Sequence, residues 1–235
     1  MRDRRDRGDP GGGTVTFSLV ARDGDRFGVV ASSSSPAVVA RVAHLRPGVG
    51  AAASQNVTDP RLGTRLLDRL ADHGDAGRAL SEVAGAAADI GYRQLTVLGR
   101  TGPGFAYSGA RTLGTHATAT ADGAVAAGNM LAGEHIPGVM IDAFTAAGGE
   151  LEQRLLAALR AAVAAGGEEG PVRSAGLVVV AGVDWPVTDL RVDWADDPVD
   201  RLAEILDVWL PQRDDYVRRG LDPASAPSYG VPGDL

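Results

Sequence analysis

The sequence predicts a layered α+β sandwich of antiparallel sheets and helices, formed as one domain. Three observations predict it. Short β-branched and apolar stretches are separated by tight turn signals, which makes them antiparallel neighbours. Paired amphipathic helices interrupt the strand groups, an order unlike a βαβ repeat. The 235 residues, 44% hydrophobic and 23% charged, suit a single unit with its own core.

Residues 1–15 read as a disordered N-terminal extension. MRDRRDRGDPGGG is charge-dense and then glycine-rich, too polar to offset its ordering entropy. Residues 16–210 read as the folded domain. In TVTFSLVAR (14–22), Thr16, Ser18 and Val20 alternate with Phe17, Leu19 and Ala21, the period of a strand. Asp23-Gly24 turns the chain and FGVVAS (27–32) returns it. The serine run 32–35 and Pro36 leave that strand. VVARVAHL (38–45) reads as another strand, Pro47-Gly48 as a turn, and 49–54 as a small, buried strand.

Asp59-Pro60 starts a helix with a capping side chain and a proline in the first turn. Leu62, Leu66, Leu67 and Leu70 form its stripe and Gly74 ends it. A second helix over 75–88 faces inward through Ala79, Leu80, Val83, Ala86 and Ala87. Strands follow at 92–98 and 105–108, then a hairpin of 115–120 with 123–128. Helices follow over 137–147 and 150–165. The second carries the stripe Leu151, Leu155, Leu159 and Val163, and Gly166-Gly167 stops it. RSAGLVVVAGV (173–183) reads as a buried strand and 189–194 as a partly polar one. A last helix from Asp197-Pro198 carries Val199, Leu202, Ile205, Leu206 and Leu210. Residues 211–235 read as an extended C-terminal tail packing on the domain.

Charge and composition exclude several function classes. A net charge of −7 and a pI near 5.1 argue against a nucleic-acid or anionic-membrane surface. No cysteine is present, so a disulfide, a thiolate metal site and a cysteine nucleophile are out. No apolar run approaches the roughly 20 residues that span a bilayer. The N-terminus lacks the apolar core of a secretory signal, so a cytoplasmic location is expected. His44, His73, His116 and His135 stand at no metal-ligand spacing, so no metal is expected. There is no GxSxG elbow, GxGxxG or Walker A motif, and no cofactor is expected.

Several motifs in one order carry a resemblance. TFSLVARD (16–23), GVVASS (28–33), PGVGAAASQNVTDPRLG (47–63), RQLTV (93–97), Ser108-Gly109, GNMLAG (128–133), the GG-plus-acid at 166–168, RSAGLVVV (173–180) and RVDWADDP (191–198) resemble the family catalogued as domain of unknown function 1028. The resemblance implies an Ntn-hydrolase-like fold, a four-layer αββα sandwich of two antiparallel sheets. Through that fold it implies a cofactor-free hydrolase of a small amide- or imide-type C–N bond. An N-terminal threonine would attack and its own α-amine would act as base. That amine's ordinary pKa of about 7.7–8.0 lets it accept a proton at neutral pH.

On these motifs Thr16 is the implied nucleophile; Thr14 lies just outside. The family usually begins directly before the TFS motif, whereas fifteen residues precede Thr16 here. Its amine is free only if the chain is cut there, or if translation begins at Val15 with an initiator that is later removed. Ser33 would position the nucleophile or donate to the substrate, and otherwise caps a loop. Gln55 or Asn56 would supply an oxyanion-hole amide, and otherwise completes the turn before the helix. Asn129, between glycines, would approach a ligand or hold a tight turn. Arg93 or Arg46 would anchor a substrate carboxylate. Glu168 or Asp193 would orient the amine or bind a cation. The expected partners are a small-molecule substrate and further copies of the chain in a homo-oligomer. A catalytically silent protein that binds a metabolite or partner is the alternative.

Overall fold

The computed structural model describes residues 15–230. Residues 1–14 of the expected extension, Thr14 among them, and 231–235 lie outside the described residues. Strands β1 (Thr16–Asp23) and β2 (Arg26–Ser33) form the first hairpin. Its turn begins at Gly24 with φ 60°, a conformation that side-chain-bearing residues rarely adopt. β1 also pairs with β8 (Ala124–Asn129), β8 with β7 (Ala117–Ala121), β2 with β9 (Ser174–Val180) and β9 with β10 (Pro186–Val192). The six-stranded sheet has the order β10-β9-β2-β1-β8-β7. A four-stranded sheet has the order β3-β4-β5-β6, from β3 (Ala43–Arg46), β4 (Gly50–Asn56), β5 (Arg93–Gly99) and β6 (Phe105–Ser108). Every pairing within both sheets is antiparallel, so the α+β class with two antiparallel sheets holds.

Seven helices accompany them among the described residues: α1 (Val38–Val42), α2 (Pro60–His73), α3 (Ala76–Ala86), α4 (Ile136–Ala146), α5 (Leu151–Ala164), α6 (Pro198–Trp209) and α7 (Arg213–Leu221). The apolar side chains sort into three cores. Phe17, Leu19 and Ala21 of β1 meet α4, α5 and α6 through residues such as Met140, Leu155 and Leu202. Val20, Val29, Ala31 and Val125 meet Ala51, Ala53 and Leu98 of the second sheet. Ala52, Leu95 and Val97 meet Leu66, Leu70 and Leu80 of α2 and α3. The alternation read from 16–21 is therefore real: odd positions face helices and even ones face the opposite sheet.

Four readings need correction. Residues 38–45 are not one strand: α1 occupies 38–42 and only β3 follows as strand. Val38, Val39 and Val42 recur at helical spacing and all three are buried against the inter-sheet core. That packing outweighs the β propensity of valine. Val163 and Ile205 stand 39% exposed, because the faces of α5 and α6 that meet the core are narrower than their apolar stripes. Ala86, in the last turn of α3, is exposed as well. Within the expected extended tail, α7 forms instead, its Tyr216 stacked on Trp209 with ring centroids 5.2 Å apart.

Candidate functional site

The register of three strands builds the site. Thr16 lies opposite Ser33 on β2 and opposite Asn129 on β8. By the alternation above, all three side chains enter the space between the sheets. Each is almost fully buried: Thr16 is 4% exposed, Ser33 and Asn129 0%. Gln55 and Gln94 approach from the facing strands β4 and β5, where Ala53 and Leu98 share their parity.

Hydroxyls gather on one peptide carbonyl. Thr16 Oγ1 donates to the Val15 carbonyl oxygen at 2.7 Å and lies 3.3 Å from Ser33 Oγ. Ser33 Oγ donates to that same carbonyl oxygen. Ser33 Oγ in turn accepts from the Ser35 backbone N–H at 3.1 Å and stands 2.8 Å from Ser35 Oγ. The Arg41 guanidinium donates to Ser35 Oγ. Each hydroxyl has one proton, so a consistent chain runs from Arg41 through Ser35 and Ser33 to the Val15 carbonyl. Burial lowers the Arg41 pKa from its ordinary value; a guanidinium remains charged regardless.

An amide network backs this cluster. Ser18 Oγ donates to Gln55 Oε1 at 2.6 Å, and Gln55 Nε2 donates to Gln94 Oε1 at 2.8 Å. Asn129 Nδ2 donates to Gln94 Oε1 at 3.2 Å, and Gln94 Nε2 donates to Ser108 Oγ at 2.9 Å and the Gly128 carbonyl at 3.0 Å. Gln55 thus spends both ends of its amide on other side chains and braces the two sheets. Asn129 Oδ1 has no partner, so the amide presents a free acceptor at the site.

The structure brings Thr16, Ser33, Gln55 and Asn129 together. It does not bring Asn56 and Arg93 to them. Arg93 shares the parity of Leu95 and Val97, which face α2 and α3, and its guanidinium donates to the Val57 carbonyl. Asn56, at φ 72°, donates to the Tyr92 carbonyl at 2.6 Å and accepts from Leu113 N–H at 3.2 Å. Both residues frame the loops around β4. Arg46 pairs with Asp68 at 2.7 Å, and Asp193 is exposed.

Glu168 does lie at this end. Gly166 and Gly167, at φ 114° and 57°, reverse the chain after α5. Glu168 then forms a β-bridge with Leu131 and is 3% exposed. Burial pushes its carboxyl up to about 8, against a weaker opposing pull from Ser34. Neither carboxyl oxygen reaches hydrogen-bonding geometry with a donor. Sequence reasoning missed Ser34, Ser35, Arg41 and Gln94. The serine run was a visible signal for the first two; nothing local marked the others.

A surface cavity of about 650 Å³ lies far from this cluster, lined by Gly24, Asp25, Pro47, Arg100 and Asp184 among others. It sits by the β1–β2 turn, roughly 25 Å along the strand from Thr16 at about 3.3 Å per residue. Among the described residues, no group of three or more His, Asp or Glu could hold a metal ion, and no helix is long and apolar enough to cross a membrane.

The geometry defines a mixed α+β protein with a buried hydroxyl and amide cluster at the start of its central strand. The chain belongs to DUF1028, a family of unknown function whose model matches residues 16–202. It is similar to a solved structure, protein SPO2555 from Silicibacter pomeroyi, described as matching the same family model. The two are 29% identical, with a TM-score of 0.81, over 87% of this chain and 91% of that one. A search of curated proteins returned no match.

Proposed function

We propose that this is an Ntn-type hydrolase of a small amide- or imide-type C–N bond, with Thr16 as its nucleophile. The layering supports that fold class: helices, six-stranded sheet, four-stranded sheet, helices, with a separate apolar core at each interface. The observation that carries the reading is the convergence of Thr16 Oγ1 and Ser33 Oγ on the Val15 carbonyl. Two hydroxyl donors on one carbonyl oxygen polarise the bond that ties up the Thr16 amine.

With Thr16 N-terminal, its amine takes the hydroxyl proton as Oγ1 attacks the substrate carbonyl. Ser33, held by Ser35 and Arg41, donates to the developing oxyanion. The amine then returns its proton to the leaving nitrogen, and water releases the acyl group. No cofactor is required. A homo-oligomer belongs to the same proposal, and native mass reads it directly.

The test uses a chain that begins at Thr16, its start verified by intact mass. It is exposed to an electrophile panel and to small amides and imides, with Thr16→Ala as control. Covalent adducts mapped to Thr16, with turnover that the control lacks, are expected. No adduct and no turnover on correctly started protein overturns the reading. One observation favours a binding protein instead: with Val15 attached, Thr16 is 4% exposed and offers no accessible nucleophile. If the native protein retains Val15, the silent binder is the better account.

A further inference from the structure

Glu168 is the titratable group at this end of the sheet that the mechanism above leaves unused. β1 lies between β2 and β8. Because Thr16 faces Ser33 and Asn129, the residue before it enters between Ser34 and Met130. Val15 N–H accordingly reaches Ser34 Oγ at 3.5 Å. The segment after α5 runs along the β8 side of that gap. Glu169 N–H donates to the Met130 carbonyl at 3.0 Å, and Ala132 N–H donates to the Gly167 carbonyl at 3.1 Å. Glu168 is thereby tied to the β8 flank through its bridge to Leu131, while its carboxyl interacts with Ser34 on the β2 flank. It spans the mouth of β1, where Val15 meets Thr16.

The carboxyl is out of place in the chain that keeps Val15. It is 3% exposed and neither oxygen reaches full hydrogen-bonding geometry, the hydroxyl and N–H of Ser34 exerting only a pull weaker than burial. Burying a carboxyl without a partner is unfavourable. The other charged or titratable side chains nearby do not reach it. Arg41 is spent on Ser35 and the carbonyls of Pro36 and Ala37, His135 lies on the Ala165 carbonyl at 3.3 Å, and Glu169 is exposed. Ser34 is a neutral neighbour; what the carboxyl lacks among the described residues is a cationic donor, and the position where Val15 now ends would supply one.

We propose that Glu168 is the positioning residue for the α-amine of Thr16, accepting a hydrogen bond from it once Val15 is absent. This rests on the reading that Thr16 is the working N-terminus. The amine's hydrogens are held toward Glu168 and the unpartnered Asn129 Oδ1, which turns its lone pair toward Thr16 Oγ1. Proton balance is simple. The carboxyl and the amine share one proton as carboxylate and ammonium. The amine becomes a base when that proton leaves to solvent.

The sequence makes the test clean. It contains no lysine, so the α-amine is the chain's one primary amine. Reductive methylation with ¹³C-formaldehyde of a chain starting at Thr16 places a single NMR reporter on it. Its titration should give an amine pKa at least about one unit higher than in Glu168→Gln, since a nearby carboxylate favours the ammonium. Equal values overturn the pairing. Should Glu168→Gln not fold, wild-type protein alone decides. The Glu168 side-chain carboxyl, followed by ¹³C NMR, should titrate well below about 8 in the Thr16-initiated chain and near it in the chain retaining Val15. Identical titrations in both overturn the proposal. An unreactive protein with a raised amine pKa keeps the pairing and loses the catalytic reading. An active one with an unchanged amine pKa loses only the pairing.

Discussion

Thr16 and Ser33 bring their hydroxyl protons to one carbonyl oxygen, so substituting either leaves the other in place. Their losses should nevertheless differ in kind. In a chain starting at Thr16, Thr16→Ala should abolish covalent labelling. Ser33→Ala should slow it about 100-fold, the usual cost of one oxyanion donor. A Ser33→Ala protein labelled at the wild-type rate, by mass spectrometry over time, would remove Ser33 from the site. Glu168 gives a second prediction at this scale. Its folded pKa of about 8 exceeds the ordinary 4.5, so the folded state binds the extra proton between those values. The resulting stability is full below about pH 4.5 and is lost as pH rises through about 8. In the chain that keeps Val15, the melting midpoint should therefore fall across that window. The fall attributable to Glu168, taken as the difference from Glu168→Gln, should exceed about 2–4 °C, the shift that 1 kcal/mol makes in a domain of this size. Parallel pH profiles for the two proteins would contradict it.

At the scale of elements, the clearest constraint is the contact of α2 with β3. A Cβ at Gly63 would collide with the His44 imidazole. Gly63→Ala gains about 1 kcal/mol of helix propensity, yet overpacking costs typically about 1–3 kcal/mol. A net loss in chemical denaturation is expected, and a gain would show that β3 yields easily. A buried ion cluster fastens the C-terminal elements. Glu152 of α5 is 0% exposed and accepts from Arg26 at 2.8 Å, Arg213 at 3.1 Å and Thr188 at 2.9 Å. Glu152→Ala removes the buried acceptor shared by Arg26, Arg213 and Thr188 but leaves Arg26 with Glu150 and Arg213 with Glu150 and Asp214, and should cost about 1.5–3 kcal/mol; a cost under about 1 kcal/mol would mean that the cluster only decorates the fold. These elements also show what was legible. The β1–β2 hairpin, the α2 cap at Asp59 and the α5 stripe follow from local periodicity and turn chemistry. α1 did not, because three valines at 38, 39 and 42 carry strand propensity and acquire a helical position only from the cavity they fill. The site divided the same way. Thr16, Ser33 and Asn129 were legible as motif residues. The bond from Ser18 to Gln55, 37 positions apart, and the approach of Glu168 to Ser34 exist only after two sheets and a helical hairpin are assembled.

On the scale of the whole molecule, the three apolar cores and the start of β1 are separable. Val15 is 2% exposed but belongs to none of the three clusters. It sits at the edge of the sandwich where β1 begins, whereas the cores are closed by helices and by the opposing sheets. Removing everything before Thr16 should therefore leave the architecture intact. The loss is the burial of one valine, about 1.5–3 kcal/mol, offset in part where the new amine meets Glu168. Two chains, one keeping Val15 and one starting at Thr16, should give the same far-UV circular dichroism. Their melting midpoints should differ by no more than about 12 °C. Their chemistry should differ completely: covalent labelling at Thr16 in the short chain and none in the long one. Labelling of both at equal rates would show that neither the amine nor access to Thr16 governs reactivity. Collapse of the short chain would show that Val15 is part of the core and that the two functions of this strand end, sealing the sandwich and presenting a nucleophile, cannot be separated.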